Sequence, residues 1–367
     1  EPFPFFTMTG DMFNVWAMLS TGDTSLLPLA NLAPFALLVL VLYGFLRDSL
    51  RSRAAAASMT SALVTVPAFF VLAADAYVEI PLWAFMFGSL RLILLSARNG
   101  HDRSLFVLAA FMCGCMIGTK LTGFPMALVL FATWIALSRG RGIAWHLGRF
   151  GLFLAGVLLF GSYFYLRNIW LTGSPLYPFP MTIGGVQLFP GDAEHAARVA
   201  GTSISRFLAP LVFSGEIFKA VFGTRQPPNS SSGLGLTGLF FMFSGFLAGF
   251  GIVRAALSRS RSGSDTAGRA AGEAWLGPIF LSASLLAIVI YIFLPWCAPY
   301  LYGNVRFLYP AVPFAAFALV SVPAIAEIRR WAVVAACLVI QAVSFVVALV
   351  PFSVSGLGVV AVMLLVS

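Results

Sequence analysis

Five charged residues that could take part in chemistry lie at the ends of hydrophobic stretches. They are two acids, one lysine and two arginines: Asp75, Glu79, Lys120, Arg167 and Arg306. Arginine offers a planar fork of N–H donors that suits phosphate oxygens, and lysine adds a compact positive charge. A carboxylate can accept a proton or bind a hydroxyl group. If the fold gathers these residues, they form a pocket for an anionic headgroup with carboxylates beside it.

The surroundings of each residue also allow a plainer explanation. Arg167 stands before Trp170 and Tyr177, an arrangement typical of a side chain anchored at a membrane interface. The two acids, four positions apart, could be ordinary solvated loop residues. Lys120 interrupts a long hydrophobic stretch, where an ammonium group is costly unless it reaches the interface, a carboxylate or a bound anion. The combination of all five, rather than any one of them, favours a binding pocket.

The composition is that of a polytopic membrane protein. Hydrophobic residues make up 60% of the 367 residues and charged residues 10%, and the mean hydropathy is +0.95. We predict an all-α integral membrane protein with about eleven transmembrane helices, each an apolar run of about 17–25 residues, and a longer extracytoplasmic loop region. The predicted spans are 27–46, 57–74, 77–97, 104–120, 123–138, 150–170, 234–253, 276–294, 307–324, 331–350 and 357–367.

The loop charges indicate which side of the membrane each loop faces. When the loops are assigned alternately, one set carries fourteen cations and five acids, and the other carries seven cations and eight acids. Lys and Arg accumulate in cytoplasmic loops, so the first set is predicted to lie inside. The five residues named above then face the extracytoplasmic side of the membrane. The cation-rich loops are 47–53, 98–103, 139–149, 254–273 and 327–330.

The remaining charges indicate which classes of molecule the protein could bind. The one cation outside both sets, Arg91, lies within a span, near enough to its inner edge for the side chain to reach the interface. The net charge of +9 suits anionic lipids at the inner surface. No basic patch is interleaved with stacking aromatic residues, so no nucleic-acid partner is predicted.

The chain reads as a single membrane domain over residues 1–367. Segment 171–233 is rich in Pro and Gly and is the natural place for a substrate lid or floor; within it, 205–222 has the pattern of an interfacial helix. Segment 254–275, rich in Ser, Gly and Arg, is predicted to be a flexible cytoplasmic linker. We expect both ends to be incomplete, with at least one helix before Glu1 and a shortened last span.

Cysteine and histidine do not indicate a disulfide framework or a metal centre. Cys113 and Cys115 share one predicted span, which is more typical of packing than of metal binding. Asp192, Glu194 and His195 could offer ligands to a metal, although a solvated loop explains them better. No metal site and no certain cofactor are assigned, and dependence on a divalent metal stays open.

Four short motifs, in this order, resemble the GT-C superfamily. They are Tyr-x-Glu-x-Pro at 77–81, Gly-Thr-Lys-x-Thr at 118–122, Leu-Arg-Asn-x-Trp-x-x-Gly-x-Pro-x-Tyr-Pro-Phe at 166–179, and Val-Arg-Phe-x-x-Pro-x-x-Pro at 305–313. The chain is similar in particular to the bacterial polyprenyl-phosphate-dependent glycosyltransferases related to protein O-mannosyltransferases and the lipid A aminoarabinose transferase. The resemblance runs from about residue 5 to residue 325, and its most specific part is 166–179.

That resemblance implies an enzyme that moves a sugar from a polyprenyl-phosphate donor to a lipid, glycan or protein acceptor on the extracytoplasmic face, usually with inversion. A carboxylate acts as general base and cations hold the phosphate leaving group. The family's principal catalytic Asp lies in the first outer loop, which we expect to lie upstream of Glu1, so the resemblance assigns the base to no residue of this sequence. Glu79 matches a second acid, where Asp is more usual. The predicted substrate-binding residues are Asp75, Lys120, Arg167, Asn168, Tyr177 and Arg306.

Two other functions fit a polytopic membrane protein. A transporter or lipid flippase places charged or broken-helix sites near the midplane and shows inverted repeats, whereas the charges here lie at the outer rim. The other alternative hypothesis is a polymer-assembly protein, such as an O-antigen ligase or polymerase. The residues identify neither the sugar, nor the acceptor, nor the oligomeric state.

Overall fold

The structure is a computed structural model that describes most of the chain up to residue 192 and four separate segments beyond it. The described residues are 9–23, 26, 29–50, 52–66, 69, 72–73, 77–138, 140–177, 180–183, 186–192, 237–249, 276–293, 308–321 and 330–349. The predicted helix at 205–222, the predicted linker 254–275 and the last predicted span from residue 357 lie outside them.

The described residues form twelve helices and one β-hairpin, which confirms the all-α fold class. The helices are α1 (Asp11–Thr21), α2 (Leu32–Leu50), α3 (Arg53–Val64), α4 (Glu79–Arg98), α5 (Arg103–Thr119), α6 (Gly123–Leu137), α7 (Ile143–Gly161), α8 (Tyr163–Thr172), α9 (Thr237–Gly249), α10 (Leu276–Phe293), α11 (Ala311–Val320) and α12 (Arg330–Leu349). The hairpin, which the sequence did not predict, pairs β1 (Met181–Ile183) antiparallel with β2 (Val186–Phe189) inside the predicted loop region.

Three of the described helices, α2, α4 and α7, are long and apolar enough to cross a membrane. Their described neighbours α5, α6, α9, α10, α11 and α12 are also apolar, over stretches of 10–17 residues. At about 1.5 Å per residue, the longest of these stretches covers about 26 Å, close to the thickness of a hydrocarbon core. The helices are therefore compatible with membrane insertion, and the number of about eleven crossings stays a prediction.

The predicted span 150–170 is divided differently in the structure. α7 begins at Ile143 and ends at Gly161, and after Ser162 the chain forms α8. The predicted span began too late because polar residues at the start of α7 interrupt the hydrophobic pattern. One of them, Arg149, donates from Nη2 to the carbonyl oxygen of His101 at 2.8 Å. Arg167 consequently lies inside the short helix α8, rather than at the end of a membrane span.

The predicted span 57–74 does not form one helix either. α3 begins after Ser52, whose hydroxyl accepts a hydrogen bond from the amide of Ala55 at 3.3 Å. It ends at Val64, where the Thr65 hydroxyl donates back to the carbonyl oxygen of Ser61 at 2.8 Å. Pro67 follows in the sequence, and helices usually end at or before the residue that precedes a proline.

α4 lies at the centre of the helix bundle. It packs on α2, α5 and α6, and most of its side chains are buried. The Ser89 hydroxyl donates to the carbonyl oxygen of Ala109 on α5 at 2.8 Å. Near its start, the ring of Trp83 lies 5.5 Å from that of Phe69 and 4.2 Å from that of Tyr309. This aromatic packing holds the first turns of α4, which carry Glu79, in place.

α7 packs on α5 through small residues, and many of its other side chains are exposed. A Cβ atom added at Gly156 would lie 2.7 Å from the Cβ of Ala110, and one added at Gly114 would lie 2.9 Å from the carbonyl oxygen of Gly156. The two backbones therefore touch directly. The opposite face of α7 is apolar, with Leu159 74% exposed, which suits contact with lipid tails.

We expect Gly156→Val to lower the free energy of unfolding by about 1–3 kcal/mol, because its methyl groups collide with Ala110 across the contact between α5 and α7. Gly151 provides a matched control on the same helix, since a Cβ there meets no atom within 4 Å. Gly151→Val should change stability little. Thermal unfolding of both variants in detergent tests this expectation, and equal midpoints for the two variants contradict it.

The antiparallel helices α4 to α7 place their connections at two opposite ends of the bundle. The Glu79 end contains the start of α4, the end of α5, the start of α6 and the end of α7. The Arg98 end contains the other four termini. There, Nη2 of Arg91 and Nη1 of Arg98 both lie 2.7 Å from Oδ2 of Asp48, in the last turn of α2. Arg91 is thus held by a carboxylate of the neighbouring helix, an ion pair that the sequence did not predict.

Candidate functional site

Two of the predicted residues, Glu79 and Lys120, meet in an ion pair at the Glu79 end. Nζ of Lys120 lies 2.6 Å from Oε1 of Glu79. The lysine is the first residue after α5 and has an extended backbone, with φ −158° and ψ 143°. Its carbonyl oxygen accepts a hydrogen bond from the amide of Gly123 at 2.9 Å, which closes the tight turn into α6. The break between α5 and α6 therefore turns the ammonium group toward the start of α4.

The ion pair is largely shielded from solvent. The side chain of Glu79 is 1% exposed and that of Lys120 is 19% exposed. Glu79 also stands in the first turn of α4, where the partial positive charge of a helix N-terminus favours a carboxylate. Replacing a buried ion pair by apolar residues of similar volume is often neutral or stabilising. The presence of this buried pair is therefore weak evidence that it stabilises the fold.

A third charged group, Asp11, lies close to this pair. The segment before α1 docks on the end of α5, where the amide of Thr9 donates to the carbonyl oxygen of Gly118 at 3.0 Å. Gly10 allows the close approach: a Cβ there would lie 2.6 Å from Cγ2 of Thr119 and 3.0 Å from Cβ of Val78. Asp11 follows as the first residue of α1. The contacts of Thr9 and Gly10 thus carry this carboxylate to the Glu79 end.

The surroundings of Asp11 make it a stronger base than an ordinary aspartate. Burial raises the pKa of its carboxyl group above the ordinary value; the positive charge of Lys120 opposes this rise, and the negative charge of Glu79 adds to it. A hydrogen bond with the side chain of Asn14 lowers the pKa, but burial prevails. Sequence reasoning missed Asp11, although an acid directly after a glycine at the start of an amphipathic helix was a visible signal.

Helix α8 brings part of the most specific motif to the same end of the bundle. The hydroxyl of Tyr165 donates to the carbonyl oxygen of Ile117, in the last turn of α5, at 2.9 Å. The guanidinium carbon of Arg167 lies 6.0 Å from the ring centroid of Phe164. α8 thus places Arg167 at the Glu79 end, on a helix that touches the one leading to Lys120.

The loop after α8 is tied back to this helix. Asn168 is buried, and its Nδ2 donates to the carbonyl oxygen of Pro175 at 3.4 Å. Tyr177 lies half-buried in the turn that this contact holds. Gly173 ends α8 in the left-handed conformation, with φ 74°, which glycine adopts without strain. Asn168 therefore lies in α8, where its side chain makes a structural contact, and Tyr177 lies in the turn that follows the helix.

Two predicted site residues, Asp75 and Arg306, lie outside the described residues. Tyr309, which follows Arg306 by three positions, is described. Its hydroxyl donates to the carbonyl oxygen of Leu63 at 3.3 Å, and its ring packs on Trp83, one turn of α4 after Glu79.

The part of the chain that the structure describes contains no group of three or more His, Cys, Asp or Glu residues arranged to hold a metal ion. Asp192 is described, whereas Glu194 and His195 of the same loop are not. Cys113 and Cys115 are buried free thiols in α5.

Comparison with protein families gives a match in the first half of the chain. A family model described as a domain of unknown function (DUF8201) matches residues 5–187. The matched region includes α1 to α8, the Asp11–Glu79–Lys120 group, Arg167, Asn168 and Tyr177, and it ends before Arg306. Comparison with curated proteins and with solved structures finds no match.

Proposed function

We propose that the protein is a membrane glycosyltransferase that moves a sugar from a polyprenyl-phosphate donor to an acceptor on the extracytoplasmic face, with inversion. The observation that carries this proposal is the carboxylate of Asp11, with its raised pKa, beside the buried ion pair of Glu79 and Lys120. A base and a cation at one end of an apolar helix bundle are the two groups that transfer from a lipid phosphate needs.

In the proposed reaction, Asp11 is the general base. A hydroxyl or amine of the acceptor attacks the anomeric carbon of the sugar, and its proton passes to the carboxylate of Asp11. The bond between the anomeric carbon and the phosphate oxygen breaks on the opposite face, which inverts the configuration. The polyprenyl phosphate leaves with the bonding electrons, so negative charge grows on its oxygens.

Cations near the phosphate stabilise that developing charge. Lys120 is assigned to this role, and Arg167 and Arg306 are assigned to the same role by the motifs that carry them. Oε1 of Glu79 is occupied by the Lys120 ammonium and the side chain is 1% exposed. Glu79 is therefore a positioning residue in this proposal, which aims Lys120, and Asp11 takes the role of base.

Three further observations support the proposal. The four motifs resemble the GT-C superfamily, the apolar helices suit a multi-pass protein of the bacterial inner membrane, and the cation-rich loops are predicted to face the cytoplasm. The connection between α4 and α5 and the start of α7, which belong to two of these loops, fall at the Arg98 end, opposite Glu79. This arrangement favours an extracytoplasmic position for the proposed site.

We expect Arg167→Ala and Arg306→Ala each to lower transfer by about 10²–10³-fold, because each removes a cation from the leaving phosphate. The assay mixes native membrane vesicles, which supply acceptors, with a panel of polyprenyl-phosphate hexoses and pentoses, and measures free polyprenyl phosphate by mass spectrometry. Arg53→Ala is the control, since Arg53 is an exposed residue at the Arg98 end.

The products in the same assay separate the three readings. Wild-type release of polyprenyl phosphate supports the transferase. Movement of the intact donor across the vesicle without release indicates a flippase, and release of polyprenyl diphosphate from a diphosphate-linked donor indicates a ligase or polymerase. Unchanged release in both arginine variants removes them from the donor site.

A further inference from the structure

A second group of cations, separate from the proposed catalytic site, lies at the Arg98 end where α7 begins. The guanidinium carbons of Arg141 and Arg149 lie 5.7 Å and 5.4 Å from the ring centroid of Trp145. That of Arg149 also lies 5.5 Å from the ring of Phe106. Each contact is a favourable cation–π interaction. Together they bring two positive charges to one indole ring.

Nearby charges do not offset this concentration of positive charge. Arg103, at the start of α5, acts electrostatically on Arg149 with the same sign, and Asp102 acts on it with the opposite sign. The carboxylate of Asp102 already accepts a hydrogen bond from the amide of Leu105 at 2.9 Å, as the N-cap of α5. The group formed by Arg103, Arg141 and Arg149 therefore keeps a net positive charge.

Two other arginines at this end, Arg91 and Arg98, differ from this group because they share a carboxylate partner. There, Asp48 lies 2.7 Å from both Arg91 and Arg98. Among the described residues, neither Arg141 nor Arg149 forms an ion pair with a carboxylate. Nη1 of Arg149 is buried and has no hydrogen-bond acceptor in the described part of the chain, a state that costs free energy unless an acceptor is supplied. These features call for an anion beside Trp145.

The surface next to these arginines indicates where that anion comes from. Ile143 and Leu147, on the first turns of α7, are 80% and 64% exposed, and they continue into the apolar outer face of the helix. A molecule with a phosphate at the arginines and hydrocarbon along α7 matches both parts of this surface. We propose that Arg103, Arg141 and Arg149 bind the phosphate group of an anionic phospholipid whose tails lie along α7.

The test uses the full chain purified in detergent and titrated with phosphatidylglycerol, with bound lipid counted by native mass spectrometry. Each cation near an anionic headgroup strengthens binding about fivefold, so Arg141→Gln should weaken binding about fivefold and Arg141→Gln/Arg149→Gln about 25-fold. The charge-matched control is Arg47→Gln/Arg53→Gln, which removes two cations from the same end and should bind like the wild type.

The single variant keeps the test decisive if the double variant folds poorly, because the side chain of Arg141 is exposed. If the control and the double variant lose the same amount of lipid binding, only the overall charge of the protein matters, and the proposed binding site is wrong. Unchanged binding in Arg141→Gln also overturns it. If millimolar inorganic phosphate displaces phosphatidylglycerol, the arginines bind free phosphate, and the proposal of a lipid ligand is wrong. The result does not depend on sugar transfer, so it stands or falls separately from the proposed function.

Discussion

Replacing Asp11 with asparagine is expected to lower sugar transfer by about 10²–10⁴-fold, because the variant has no carboxylate to accept the acceptor's proton. Asparagine keeps the size of the side chain, so the docking of Thr9 and Gly10 on the end of α5 should persist. The measurement is the release of polyprenyl phosphate in membrane vesicles. Asp23→Asn serves as the control, since Asp23 is an exposed acid just after the same helix.

The pH dependence gives this prediction a second readout. Only the ionised carboxylate can accept a proton, so the rate of the wild-type protein should rise with pH through the raised pKa of Asp11. Asp11→Asn should lose this rise along with the rate. A variant that keeps the wild-type rate and the wild-type pH profile removes Asp11 from the reaction.

Stability should move in the opposite direction to activity. Because burial raises the pKa of Asp11 in the folded state, the native protein binds this proton more tightly than the unfolded chain does. Stability therefore falls as pH rises from the ordinary aspartate pKa through the raised one. Asp11→Asn removes this penalty at neutral pH, so the inactive variant should be at least as stable as the wild type. A loss of both activity and stability points to a structural role instead.

The largest effect on stability is expected for Lys120→Met. This change keeps an unbranched side chain but leaves the carboxylate of Glu79, 1% exposed, without its ammonium partner at 2.6 Å. Breaking one side of a buried ion pair costs about 3–5 kcal/mol, because a charge is left uncompensated away from water. Thermal or denaturant unfolding in detergent measures the loss, and transfer activity should fall with it.

The double variant separates the fold from the reaction. Glu79→Gln together with Lys120→Met removes both charges, so most of the lost stability should return, and the coupling between the two sites should be of the same order as the single loss. Transfer should stay low, because no ammonium faces the leaving phosphate. Recovery of activity with stability would show that Lys120 acts only by holding Glu79. A wild-type rate in Glu79→Gln alone would leave Glu79 with a structural role at the start of α4.

Several features of this protein could be predicted from local sequence because they depend on neighbouring residues. Apolar runs predicted the all-α class, and the bounds of α4, α5 and α6 lie within two residues of the predicted spans 77–97, 104–120 and 123–138. The predicted helix boundaries were wrong where a distant part of the chain satisfies polar groups that are unfavourable in the local sequence. Polar side chains at the start of α7 looked unsuited to a helix in a membrane. In the structure, one of them, Arg149, donates a hydrogen bond to the carbonyl oxygen of His101.

The pairing of distant charges was decided by the tertiary structure. The sequence indicated that Lys120 needs an interface, a carboxylate or an anion, and the antiparallel packing of α4 and α5 selected Glu79 among these. The sequence offered no reason to pair Asp48 with Arg91 or to bring Asp11 near Lys120 and Glu79, because such proximity depends on which helices touch. Hydropathy and loop charge act residue by residue along the chain. Electrostatic interactions depend on distance in space, and only the packed bundle determines those distances.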